Sequence, residues 1–183
     1  MEWLLFTSQF PASPSSLRVM VWRRMKAAGA VSLQNGVWVL PRTKEQERVV
    51  QELLGHLEQQ GAEGQSFTAT ALTESVERDL LKRFRDQRDE EYAELIERCE
   101  GLLEELAKET KKKKFKFAEL EENEDELRKL EGWLGRIKAR DHIGGERATE
   151  AARMLEACRK ALAAFADSVY AQEQVTSKDD SSE

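Results

Sequence analysis

The sequence predicts an α+β fold, in which a small sheet with two helices is followed by a helical extension. Three observations predict it. Asn35-Gly36 lies between two short apolar runs, and a type I′ hairpin turn needs φ > 0 at both central positions, which Asn-Gly provides cheaply. The segments up to residue 72 alternate between strand-like and helix-like patterns. From Glu74 onward, apolar residues recur at three- and four-residue spacing, the period of a helix.

Taken in order, Trp3 to Ser8 is apolar on both alternating faces (Trp3 and Leu5; Leu4 and Phe6), as in a strand buried on both sides. Pro11 and Pro14 end it. Ser13 suits a helix N-cap with Pro14 at the first helical position, where a missing N–H costs nothing. The helix expected from Pro14 to Ala28 has Leu17, Val21, Met25 and Ala28 as its core stripe. Val19 and Trp22 suggest a second covered flank, and Gly29 ends the helix. The hairpin follows, its second strand Val37 to Leu40 again apolar on both faces and closed by Pro41. Thr43 with Gln46 fits a capping box. The helix it opens carries Val49, Val50, Leu53, Leu54 and Leu57 and ends at Gly61, and Ser66 to Leu72 reads as a last strand. The order β-α-β-β-α-β is the split, ferredoxin-like pattern, in which the first and third strands are central and the helices cover one face. The other face needs a cover from the rest of the chain or from a second copy.

Beyond this domain, expected over 1–72, an extension is expected over 73–172. Val76, Leu80, Phe84, Arg88, Tyr92, Leu95, Cys99, Leu102 and Leu106 keep the stripe of one long helix with coiled-coil character. Lys111 to Lys114 form a connection, a second helix carries Leu120 to Ile137, and Asp141 to Gly145 form a turn. A third, alanine-rich helix carries Ala148 to Val169. Short connections favour an antiparallel three-helix extension. The polar, acidic stretch 173–183 is expected to be disordered.

The chain has 183 residues and is 40% apolar, enough for a core, while its 35% charged residues suit long solvated helices. The net charge of −6 argues against a uniformly basic surface and leaves room for a local basic patch. Cys99 and Cys158 have no paired spacing and read as free core thiols in a reducing compartment. Trp3 to Phe6 is too short for a signal peptide, and no apolar run spans a membrane, so a cytoplasmic location is expected. His56 and His142 sit in no metal-ligand spacing, and no phosphate-cradling glycine loop or nucleophile pairing occurs. No cofactor, metal or catalytic residue is expected, and the chain is not read as an enzyme. The carboxylates densest at Glu119 to Glu126 read as a solvated face or as a surface for basic partners.

Two basic groups could touch nucleic-acid phosphates: Arg18, Arg23, Arg24 and Lys26 on the first helix, and Lys111 to Lys114 with Lys116, interleaved with Phe115 and Phe117. Ordinary solvation of a helix face and of a connector are the alternatives. Arg88 falls on an apolar stripe and needs a partner if buried, either in a structural salt bridge or as an oxyanion-binding guanidinium.

The run Trp3-Leu4-Leu5-Phe6-Thr7-Ser8-x-x-Pro11, then Arg18-Val19-x-Val21-Trp22-Arg23, Gly29-Ala30 and Gly36-Val37-Trp38-x-Leu40-Pro41 resembles the N-terminal domain of the ChrB chromate-resistance regulators. The resemblance continues in Phe84-x-x-x-Arg88-Asp89-x-Glu91-Tyr92, in Phe115-x-Phe117-Ala118-Glu119-Leu120-Glu121-Glu122-Asn123 and in Trp133-Leu134-x-x-Ile137-x-x-Arg140-Asp141. It covers about residues 2 to 170. It implies a regulatory protein of chromate resistance, a DNA-associated transcriptional regulator or a component of one. Full ChrB proteins continue into a C-terminal domain tied to chromate response, so this chain reads as a free-standing N-terminal unit. The first 72 residues also resemble, more distantly, the ferredoxin-like module of PaaX-type repressors and of the CRISPR spacer-acquisition protein, where it commonly mediates dimer contacts. The latter carries an acidic residue at the end of its first strand; the corresponding segment here is Thr7-Ser8-Gln9, so no nuclease activity is implied. Expected partners are therefore DNA, and, on an alternative reading as a non-enzymatic dimerisation or interaction module, a second copy or a separate ChrB C-terminal-type protein.

Overall fold

The computed structural model describes residues 1–10 and 15–179, with side chains described as far as residue 174. The elements run β1 (Trp3–Gln9), α1 (Ser16–Ala27), β2 (Val31–Gln34), β3 (Val37–Pro41), α2 (Lys44–Gln59), β4 (Glu63–Ala69), α3 (Glu74–Lys111), α4 (Phe117–Ala139) and α5 (Glu146–Asp179). They form two compact units: residues 1–87 with 139–144, and residues 88–138 with 145–183.

The first unit holds a four-stranded antiparallel sheet in the order β2-β3-β1-β4. The two strands that are apolar on both faces, β1 and β3, are the central pair. Leu4 and Phe6 of β1 and Trp38 and Leu40 of β3 point to one side, where Val21 and Met25 of α1 and Val50, Leu53 and Leu57 of α2 cover them. Trp3, Val31 and Val39 point to the other side, against Leu80, Leu81 and Phe84 of α3 and Ile143 of the α4–α5 turn. The second face is thus covered in part by the chain itself. The start of α3 is tied down as well: the Trp3 indole N–H donates to Glu77 Oε2 at 3.1 Å, and the terminal amine of Met1 lies 2.8 Å from Glu77 Oε1.

Several local expectations shift. The hairpin forms, but positive φ at its turn is confined to Gly36 (+76°), so the turn is not type I′. The β2–β3 register slips between Ser32 and Gln34, a bulge at Leu33 that lets a differently twisted turn join the two strands. The last strand lies earlier than Ser66–Leu72. β4 pairs with the whole of β1, from Trp3↔Ala69 to Gln9↔Glu63, and this register, not apolar content, sets its limits. As an edge strand it tolerates Glu63 and Gln65, while Leu72 is 97% exposed. Val76, Val19 and Trp22 are exposed rather than covered. Thr43 Oγ1 accepts from the Gln46 backbone N–H at 3.1 Å, half of the expected capping box. The Gln46 side chain instead reaches toward His142. The helix start proposed at Ser13 and Pro14 lies outside the described residues.

In the second unit, Tyr92 to Leu106 of α3, Leu120 to Ile137 of α4 and Ala151 to Val169 of α5 share one core. Residues 112–116 and 140–145 connect these helices. α5 continues to Asp179, past the point at residue 173 where the acidic tail is expected to begin. Ala171, Gln172, Glu173 and Gln174 are all good helix formers and extend it. Residues 180–183 lie outside the described residues.

Candidate functional site

The side of α1 next to the hairpin bounds a cleft of about 610 Å3. The helix repeat explains its helical wall. Arg18, Trp22 and Lys26 are spaced by four residues and lie on one stripe of α1. Core residues Val21 and Met25, which seat α1 on the sheet, lie on the neighbouring stripe, and that contact sets the orientation of the basic–aromatic stripe. The hairpin contributes Ser32, Asn35, Gly36 and Trp38, and Ser8 and Phe10 complete the lining.

The hairpin tip is anchored to β1. The Ser8 backbone N–H donates to Gly36 O at 2.9 Å. A side chain at position 36 would place its Cβ 2.5 Å from Ser8 O, so the positive-φ glycine is required both by the turn and by this approach. Ser8 is 9% exposed, and its Oγ has no hydrogen-bond partner among the described residues. Trp38 is nearly buried at 6%, whereas Trp22 is 52% exposed. Among the described residues the lining carries two cations and no carboxylate.

The four basic residues singled out on α1 therefore separate. Arg18 and Lys26 line the cleft; Arg23 and Arg24 are exposed and fall about 100° and 200° further round the helix from Trp22. Arg88, on α3, is buried at 6%, and its Nη2 lies 2.9 Å from Glu91 Oε1, an ion pair within its own helix. Of the aromatic residues interleaved with the lysines, Phe115 packs on the core 5.7 Å from Phe165, while Phe117, at the start of α4, meets Tyr170 edge-on at 5.4 Å on the exposed surface. His142 Nε2 lies 2.8 Å from the Ala28 carbonyl and, as the donor, closes the open C-terminal end of α1.

An acidic cleft of about 620 Å3 lies between α3 and α4, with Glu97, Glu105, Glu119 and Glu122 among its lining. Its floor is polar. Asn123 Nδ2 donates to Glu109 Oε2 at 2.9 Å and to Glu119 O at 2.8 Å. Burial, and then neighbouring Glu119, hold the Glu109 carboxyl above the usual range. Among the described residues no group of three or more His, Cys, Asp or Glu is placed to hold a metal ion. Cys99 and Cys158 are buried free thiols, with Cys158 Sγ 3.3 Å from the Cys99 carbonyl. The two thiols share one contact, so the pair titrates as a unit, and both are shut away from solvent.

Sequence reasoning missed Ser8, which carries no signal as a site before the hairpin tip is seen to fold onto it. The Arg18-Trp22-Lys26 spacing was legible, but the side of the helix it faces depends on tertiary packing. No helix of the described residues is long and apolar enough to cross a membrane. The family model described as "Protein ChrB, N-terminal" matches residues 18–176. No curated protein matches the chain.

Proposed function

Since the chain belongs to the family of ChrB N-terminal domains, we propose that it is a non-enzymatic regulatory protein of chromate resistance that acts in the cytoplasm and associates with DNA. The observation that carries this reading is the family match over most of the chain. The basic α1 supports a DNA contact. Arg18, Arg23 and Arg24 are exposed on three sides of a short helix with no acidic residue in its first turn, an arrangement suited to phosphates on either side of a groove wall. The βαββαβ order is read as the ferredoxin-like module of such regulators.

The test is an anisotropy titration of the chain on duplex DNA from upstream of its own gene, repeated over a series of salt concentrations. The expected result is an affinity that falls linearly with salt on logarithmic axes, with a slope that shrinks by about one for each phosphate-contacting cation removed, as in Arg23→Gln. Absence of binding, or binding indifferent to salt, overturns it.

A second reading, a self-association or interaction module, draws on Phe67 at 51% exposure and Leu33 at 43% on the two edge strands. Unpaired strand edges with exposed apolar side chains are pairing surfaces. A strictly monomeric mass by light scattering across a wide concentration range counts against it.

A further inference from the structure

We propose that the cleft between α1 and the β2–β3 hairpin binds a planar heteroaromatic anion of mononucleotide size. Four features of the cleft converge on this chemistry. Its volume, about 610 Å3, falls in the range of small-ligand sites and far exceeds what one tetrahedral oxyanion fills. Its charge is one-sided, with Arg18 and Lys26 on the wall and no carboxylate among the described lining residues. These two residues are eight apart, so their Cα atoms stand about 12 Å apart along the helix, a span suited to a ligand with a ring at its centre and an anionic group at one end.

Trp22 sits between the two cations on the same stripe and leaves half of its surface in solvent. An indole placed there offers a face on which a base stacks, and stacking on aromatic side chains tolerates any base. Arg18 and Lys26 contribute positive charge along the wall, which suits an anionic group such as a phosphate.

Ser8 supplies the fourth feature. Ser8 lines the cleft and its Oγ is buried without a partner among the described residues, and buried polar atoms in folded proteins are nearly always paired. The Ser8 backbone is held by the hydrogen bond to Gly36, so the hydroxyl stands on a rigid support, able to donate to or accept from a ring nitrogen, an exocyclic group or a ribose hydroxyl. Its depth favours a free small ligand over duplex DNA, whose backbone runs over the surface and needs neither a buried hydroxyl nor an exposed indole. This inference does not rest on DNA association.

The experiment is calorimetric titration of the full chain with AMP, GMP, CMP and UMP, and separately with adenosine and inorganic phosphate. The expected result is saturable binding of at least one mononucleotide, at least tenfold tighter than adenosine or phosphate alone. Trp22→Leu, Arg18→Gln and Ser8→Ala are each expected to weaken it by roughly tenfold. Circular dichroism melting of each variant verifies the fold, and Trp22 and Arg18, being exposed, are positions where it is retained. No saturable binding by any of the four mononucleotides overturns the inference. So does phosphate binding as tightly as the nucleotide, or an affinity untouched by Trp22→Leu and Ser8→Ala.

Discussion

The indole of Trp3 stacks on the phenyl ring of Phe84, with centroids 5.4 Å apart and planes inclined by 16°. One residue opens β1, one of the two central strands of the sheet, and the other lies well inside the long helix α3. Their contact is the centre of the small cluster that seals the second face of the sheet. It is also the point where the βαββαβ segment stops being independent of the chain that follows. Trp3→Ala or Phe84→Ala is expected to destabilise the first unit by about 3–5 kcal/mol, the usual cost of deleting a buried aromatic ring. A double-mutant cycle by urea denaturation should give a coupling of about 0.5–1.5 kcal/mol beyond additivity.

Glu77 reinforces the same junction and makes it acid-sensitive. The hydrogen bond from the terminal amine, and then the one from the Trp3 indole, hold its carboxyl below the ordinary range. A depressed carboxylate stabilises the folded state above the unfolded pKa, and that contribution disappears as pH falls through the folded value. The melting temperature of Glu77→Gln should therefore lie below that of the parent near neutral pH. The gap should close in acid, as pH falls below the ordinary carboxylate range and through the lowered folded value. A gap that stays constant with pH would show that the carboxylate charge plays no part.

Gly29 has φ +77°, and a Cβ there would stand 2.4 Å from the backbone oxygen of Arg140. Both backbone strain and a collision with main chain oppose any side chain. Gly29→Ala is expected to cost more than the about 1 kcal/mol of an ordinary left-handed glycine replacement. Gly61→Ala, at φ +69° with nothing within 4 Å, serves as the control that isolates the strain from the collision. Chemical denaturation of the two variants separates the terms, and equal losses would contradict the collision.

Glu109 works in the opposite direction from Glu77. Its carboxyl is raised by burial and by Glu119. A raised folded value means its stabilising contribution is complete below the unfolded pKa and is lost as pH rises through the folded one. Glu109→Gln keeps an oxygen to accept from Asn123 and removes the buried charge, so it should be as stable as the parent, or more so, at neutral pH, with a flatter pH profile. Asn123→Ala deletes the donor and is expected to cost about 1–3 kcal/mol, the penalty for leaving a buried acceptor unmet. A Glu109→Gln protein less stable than the parent at pH 7 would falsify this account.

Much of the architecture could be read from periodicity. The long helix from Glu74, the helical spans that follow and the central placement of β1 and β3 all rest on local patterns repeated over many residues. Signals resting on one or two residues transferred less well. Asn35-Gly36 announced a hairpin but not its turn type, because the bulge at Leu33 lets a turn with one positive φ close the same strands. The expected Ser66–Leu72 strand was displaced because apolar content marks a buried strand, whereas β4 is an edge whose extent is set by hydrogen bonding to β1.

By itself, the sequence determined the order of helices and strands (though not the limits of β4), which strands are buried on both faces, and the family to which the chain belongs. These follow from periodicity and from motifs that need no partner. Tertiary structure alone decided that α3 and Ile143 seal the second face, that Arg18 and Lys26 part company with Arg23 and Arg24, and that Ser8 is buried beneath the hairpin tip. Each depends on segments distant in the chain coming to rest against one another, and no local pattern encodes the register and orientation of such contacts.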